Sequence, residues 1–160
     1  MQPWPAFLNA MAMRESSGNY RAVNSCGFMG AFQFGRRRLQ DLGVINADGT
    51  WDTGLNDDGF LANKPLQDAC FTASVSRYAR QMRQRYSLPG QYRGINVTLS
   101  GIVAACHLVG PGGVQKWMSG QLVQDGFGTT PEEYFQLFAD YDIPTILPYT
   151  VARNLWPANP

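Results

Sequence analysis

Histidine, glutamate and cysteine are all scarce in this 160-residue chain, and each scarcity removes a class of chemistry. A single histidine, His107, and three cysteines without paired spacing leave no ligand set for zinc, so neither a metal nor another cofactor is expected. Nor does His107 make a Ser-His-Asp case, since nothing singles out a partner serine. Charged residues are only 16% of the chain and the net charge is +1, which gives no global field for holding a nucleic acid. No apolar run approaches the roughly 20 residues needed to cross a bilayer, so no membrane span is expected. The opening Met1-Gln2-Pro3-Trp4-Pro5 has neither the basic start nor the continuous apolar segment of a signal peptide. Cys26, Cys70 and Cys106 read as three reduced thiols, with a disulfide between two of them as the alternative.

Hydrophobic residues, by contrast, are plentiful at 44%, and the length suits one compact domain over residues 1–160. The pattern is mainly helical. Residues 5–16 place Phe7, Leu8, Met11, Ala12 and Glu15 on one helix face, and Ser16-Ser17-Gly18-Asn19 breaks it. A second helix is expected over Gly30 to Leu42, with Arg36-Arg37-Arg38 on a solvated face. Residues 43–63 carry turn chemistry and suggest a small hairpin or an ordered loop. Pro65 opens a long helix through about Tyr86, with Leu66, Ala69, Ala73, Tyr78 and Met82 for its buried side. A Pro/Gly-rich linker from Leu88 to Asn96 leads to an apolar helix, Thr98 to Leu108. Gly110-Pro111-Gly112-Gly113 breaks it before a short helix to Met118. Thr130-Pro131-Glu132-Glu133 has the form of a capping box, and the proline-bearing tail from Ile143 to Pro160 is expected to be irregular.

Only three glutamates are present. Glu132 and Glu133 are accounted for by a helix start, where carboxylates are favoured. Glu15 instead ends an apolar face, in line with Phe7 and Met11. A carboxyl held against apolar surface is harder to ionise and becomes a proton donor nearer neutral pH. Glycosidic cleavage needs such a donor, because the departing sugar oxygen leaves poorly unless protonated. The plainer reading is a glutamate that turns to solvent or pairs with Arg14 or Arg21.

From Glu15 the chain reads Glu-Ser-Ser-Gly-Asn-Tyr-Arg-Ala-Val-Asn-Ser-Cys-Gly-Phe-Met-Gly-Ala-Phe-Gln-Phe. This resembles the signature of the lytic transglycosylases of the soluble, goose-lysozyme-like group. Glu15-Ser16, Ala22-Val23, Gly27 and Gly30-Ala31-Phe32-Gln33 keep the family's order, with Gln33 eighteen residues after the glutamate. Downstream, Ala104-Ala105-Cys106-His107-Leu108-Val109-Gly110-Pro111-Gly112 is similar to the family's Ala-Tyr-Asn-Ala-Gly-Pro-Gly segment. Here His107 replaces the asparagine and one extra residue precedes the glycine. Tyr149-Thr150-Val151 is similar to a Tyr-Val pair that lines the cleft in relatives.

The resemblance implies a lysozyme-like, mainly helical fold around a glycan-binding groove, with Glu15 protonating the bridge oxygen of the MurNAc-β-1,4-GlcNAc link in peptidoglycan. In a transglycosylase the same residue then helps the MurNAc 6-hydroxyl attack, giving a 1,6-anhydro product. In a muramidase a second carboxylate positions water, and Asp48, Asp52, Asp57 and Asp58 are the candidates for it; all four are also ordinary turn residues. Ser16 and Gln33 enter the expected substrate-binding set from the resemblance, and Tyr149 with them. Tyr20 and Phe32 enter it because flat rings suit sugar faces. His107 lines the groove, stacks on a sugar, bonds to Glu15, or is an inert buried histidine. Two other functions remain open: a non-catalytic peptidoglycan-binding module of the same fold, and a chitin-directed glycosidase. A wall-cutting chain without a leader would need delivery to the periplasm or wall by phage lysis or a secretion system, with an immunity or delivery protein as partner.

Overall fold

The computed structural model describes residues 1–156, about half of them helical. In chain order the elements are α1 (Trp4–Ser16), α2 (Arg36–Asp41), α3 (Asp57–Ala62), α4 (Lys64–Arg85), β1 (Gly90–Tyr92), β2 (Ile95–Val97), α5 (Leu99–Met118) and α6 (Pro131–Leu137), with a short 3-10 turn at Arg153–Leu155. The protein is mainly α, with one two-stranded antiparallel sheet among the described residues. Two compact units divide the chain. The first comprises Met1–Phe7 and Val75–Ile146, and the second comprises Leu8–Ser74 and the segment from Leu147 onward. Among the described residues no helix is long and apolar enough to cross a membrane.

The first unit is built on apolar packing. Thr98 caps α5, its side chain accepting from Gly101 N. Ile102 to Cys106 are all buried. Gly110, at φ 75° and ψ 162°, interrupts the helix, and Pro111 begins its second half, as the glycine-proline pair predicts. Packing against α5 sets α6 down at close range. Trp117 meets Phe135 edge-on at 4.8 Å, and a Cβ on Gly101 would lie 2.7 Å from the Phe135 carbonyl oxygen. Phe7 completes this core, edge-on to Phe138 at 5.9 Å and to Tyr141 at 5.5 Å. The capping box at α6 is present, Glu133 Oε1 accepting from Thr130 N at 3.2 Å.

Residues 88–96 are not a linker. They hold the hairpin β1–β2, paired Gly90 to Val97 and Tyr92 to Ile95. Its two-residue turn, Arg93-Gly94, has φ of 53° and 80°, the doubly left-handed form that matches strand twist. Arg93 then lies over the Trp117 ring at 4.6 Å and donates to the Trp117 carbonyl at 3.0 Å. Burial opposes ionisation of the neighbouring Glu132. The Trp117 indole N–H, its own backbone amide, the Thr130 hydroxyl and Arg93 outweigh this and hold the carboxyl below the usual glutamate range. The indole Nε1 and Glu132 Oε2 are both buried and neither makes a hydrogen bond within normal limits.

The second unit has less regular structure. Its helix over residues 30–42 shrinks to α2, Arg36–Asp41. Ahead of it, Met29 and Phe34 exchange backbone bonds at 3.0 and 2.8 Å around a tight turn. Gly30 and Gln33 are left-handed there, which no helix accommodates. Arg36 and Arg37 are exposed on α2, while Arg38 donates to Ser74 at 3.0 Å. The turn-rich segment, expected as a small hairpin or an ordered loop, forms a small antiparallel bridged turn, Ile45 to Trp51, followed by the helix α3. Asn56 caps α3 by accepting from Gly59 N at 2.7 Å. On α4, Leu66, Cys70 and Phe71 are buried. The tail is irregular apart from its 3-10 turn, and residues 157–160 of the expected irregular segment lie outside the described residues. No disulfide joins the three cysteines: Cys26 is exposed, Cys70 and Cys106 are buried, and burial pushes the Cys70 thiol up to about 12.

Candidate functional site

Glu15 occupies the last turn of α1 and is half-buried, one turn beyond the fully buried Met11. The helix stops directly after it. Ser17 and Gly18 turn left-handed, at φ 56° and 76°, and their amides return to the carbonyls of Met13 and Ala12, each at 3.0 Å. Such a stop satisfies carbonyls that would otherwise be orphaned at the helix end.

Ser16 fastens this end to the turn at residues 29–34. Its hydroxyl donates to the Ala31 carbonyl at 2.9 Å and accepts from Asn19 N at 3.0 Å. The two stretches that carry the family resemblance, Glu15-Ser16 and Gly30 to Gln33, therefore adjoin within one unit. Gln33 braces its own turn, Nε2 donating to the Gly30 carbonyl at 2.9 Å.

Gln67, which the sequence reading passed over, ties these stretches to α4. Its side chain is completely buried. Oε1 accepts from Ala31 N at 2.9 Å, and Nε2 donates to the carbonyls of Tyr20 at 3.0 Å and Phe60 at 2.9 Å. Gly30 packs against this amide so closely that a Cβ there would fall 2.1 Å from Oε1. The adjacent Asp68 grips the same loop from the surface. Tyr20 donates to Asp68 at 2.6 Å and accepts from Lys64 at 2.7 Å, and Lys64 pairs with Asp68 at 3.3 Å. Burial raises the Tyr20 phenol pKa and the Asp68 hydrogen bond adds to it, with Lys64 opposing; the bond to Tyr20 raises the Lys64 ammonium. One signal for Gln67 exists in the sequence: a polar residue set between Leu66 and Cys70-Phe71 on an otherwise apolar helix face.

The remaining expected site residues divide. Phe32 is a correction: it is 0% exposed and stacked on Phe71 at 4.3 Å, so it is a core ring and not a sugar-contacting one. Tyr20 sets its ring edge-on to Phe32 at 6.3 Å and keeps part of its surface open. Tyr149 is 47% exposed on the tail of the second unit, and His107 is half-buried on α5 in the first.

Three of the four aspartates considered as a second carboxylate already have structural partners. Asp48 accepts from both the amide and the hydroxyl of Thr50, which lowers its pKa. Asp52 is buried in an ion pair with Arg153. Asp57 accepts from the Trp51 indole at 2.6 Å and pairs with Arg36 at 3.3 Å. Asp58 is exposed in the first turn of α3. Among the described residues no group of three or more metal-binding side chains converges.

In comparisons with protein-family models, curated proteins and solved structures, nothing matches this chain.

Proposed function

We propose that this protein cuts the glycan strands of peptidoglycan as a lytic transglycosylase, with Glu15 as the catalytic acid and then base. The observation that carries the reading is the Ser16 bond to Ala31. It joins a half-buried carboxyl at an abrupt helix end to the Gly30–Gln33 turn, the segment that follows the glutamate at fixed spacing in the family this chain resembles. A lysozyme-like arrangement and a glycan groove beside Glu15, edged by Tyr20, belong to the same proposal.

In the first step Glu15 gives its proton to the oxygen bridging MurNAc C1 and the GlcNAc 4-position, and the C1–O bond breaks through an oxocarbenium-like transition state. The GlcNAc hydroxyl departs. The Glu15 carboxylate then takes the proton of the MurNAc 6-hydroxyl as that oxygen bonds to C1, closing the 1,6-anhydro ring without water. This sequence uses one carboxyl group. A water-adding muramidase of the inverting type uses two, about 6.5–9.5 Å apart. The internal commitments of Asp48, Asp52 and Asp57 favour the one-carboxylate route. A substrate in the wall requires that the protein reach the periplasm or the wall.

Mass analysis of muropeptides released from purified peptidoglycan by wild type and Glu15→Gln tests the proposal. Wild type is expected to release anhydro-MurNAc ends, and the variant to release them roughly a thousandfold more slowly, the scale of a lost acid–base group. Reducing ends would point to hydrolysis and to Asp58. Tight wall binding by both proteins with no release from either would replace the enzyme by a binding module.

A further inference from the structure

We infer that Gln67 is a positioning residue for Glu15, acting through a closed circuit of hydrogen bonds; the inference rests on the reading of Glu15 as the catalytic acid. The circuit starts at Ser16, whose hydroxyl donates to the Ala31 carbonyl. The Ala31 amide donates to Gln67 Oε1. Gln67 Nε2 donates to the Tyr20 carbonyl. Tyr20 follows Asn19 in the chain, and the Asn19 amide returns to the Ser16 hydroxyl. Only two side chains, Ser16 and Gln67, close this ring, and it encloses the loop immediately after Glu15.

Three features separate this from ordinary core satisfaction. Besides its short-range bond to Phe60, Gln67 reaches across 36 residues to Ala31 and 47 to Tyr20, both in the stretch that follows the glutamate. Its amide is fully used, with the acceptor on an N–H and the donor on carbonyls, so it has one workable orientation. And Gly30, part of the segment that resembles the family signature, has φ 79° and leaves Gln67 Oε1 the space that any Cβ would take. The loop after Glu15 is held by short-range turn bonds, and its long-range backbone ties to α4 at Tyr20 and Ala31 run through Gln67. Without the amide, Tyr20 and Ala31 each lose a fixed partner and the carboxyl loses its set direction.

The test uses the full chain acting on soluble, uncross-linked glycan strands, with Gln67→Met and Gln67→Glu. Methionine keeps the bulk and removes every bond. Gln67→Met is expected to keep its helical circular dichroism and lose about tenfold to a hundredfold in kcat, the cost of an ångström-scale misplacement, with KM nearly unchanged. Gln67→Glu covers the case in which the methionine variant does not fold. Its protonated carboxyl can accept from Ala31 and donate to Tyr20, whereas its ionised form points negative oxygens at two carbonyls. Its activity is therefore expected to fall as pH rises through the ionisation of the new carboxyl, in a range where wild type stays level. A folded Gln67→Met with wild-type kcat overturns the inference, as does a Gln67→Glu profile that tracks wild type. A wild type that releases no anhydro product overturns the Glu15 reading and this role together. An active wild type with indifferent Gln67 variants overturns this role alone.

Discussion

The packing of α5 and α6 in the first unit and the knot around Gln67 in the second solve one problem by opposite means. In the first, rings and small residues meet face to edge, and the close approach at Gly101 lets a helix backbone lie almost against Phe135. Backbone groups there are satisfied inside the helices, so side chains are left to fill volume. In the second, residues 16–34 are turns and isolated bridges, whose backbone bonds pair only part of their amides and carbonyls. Ser16, Asn24 and Gln67 serve others, one bond at a time. Volume can be recovered by shifting neighbours, but a directed bond is made or lost. A carboxyl that must point at one oxygen is better served by the second kind of support.

Breaking each region should therefore look different. Phe135→Ala in the packed region is expected to destabilise by about 3–5 kcal/mol, the usual cost of an emptied aromatic site. Calorimetry would show the lowered melting point, and the glycan-cutting rate of the remaining folded molecules should hold. Ser16→Ala in the knot is expected to cost about 1–3 kcal/mol by leaving the buried Ala31 carbonyl without its hydroxyl partner. Its rate loss at 25 °C should exceed that of Phe135→Ala, measured on protein that circular dichroism shows to be folded. If the two variants lost rate in equal measure, the contrast between filling and pointing would not hold.

The smallest effect concerns the outer grip of Tyr20, Lys64 and Asp68. The phenol and the ammonium are both raised above their ordinary values of 10.0 and 10.5. Groups shifted this way stabilise the fold fully below those values and cease to do so as pH climbs through the raised ones. Wild type should therefore lose melting temperature above pH 10 more steeply than Tyr20→Phe, with the two parallel at pH 6 to 8. Parallel curves throughout would mean that the grip adds nothing to the loop.

How legible this was from the sequence follows the same division. Helices α1, α4 and α5 and the Thr130 cap could be read because their signals are local: apolar residues three and four apart, proline at a start, threonine before glutamate. The hairpin at 90–97 was legible in principle from Arg93-Gly94, but Pro89 and two glycines gave the segment a linker's composition. The helix expected over 30–42 fails at Gly30 and Gln33, whose backbones are left-handed, and Gly30 lies against Gln67, 37 positions further on. Phe32 reads as a sugar platform because a flat ring suits a sugar face, whereas its stacking partner Phe71 is 39 positions away. Spacing marks Gln67 only as a polar residue on an apolar helix face and says nothing of what it binds. Its partners belong to three separate segments, and only the folded backbone brings them to one amide.

The division of the chain into units also bears on how the protein is made. Neither unit is one continuous stretch, and the boundaries fall inside α1 and inside α4. A fragment stopping at residue 74 would lack the arginine that neutralises Asp52, and one starting at residue 75 would lack the phenylalanine that sits against Phe138 and Tyr141. During synthesis Asp52 emerges 101 residues before Arg153. Completing the Glu15-bearing unit therefore takes residues from both sides of the other unit, since Asp52 is neutralised only when Arg153 is present.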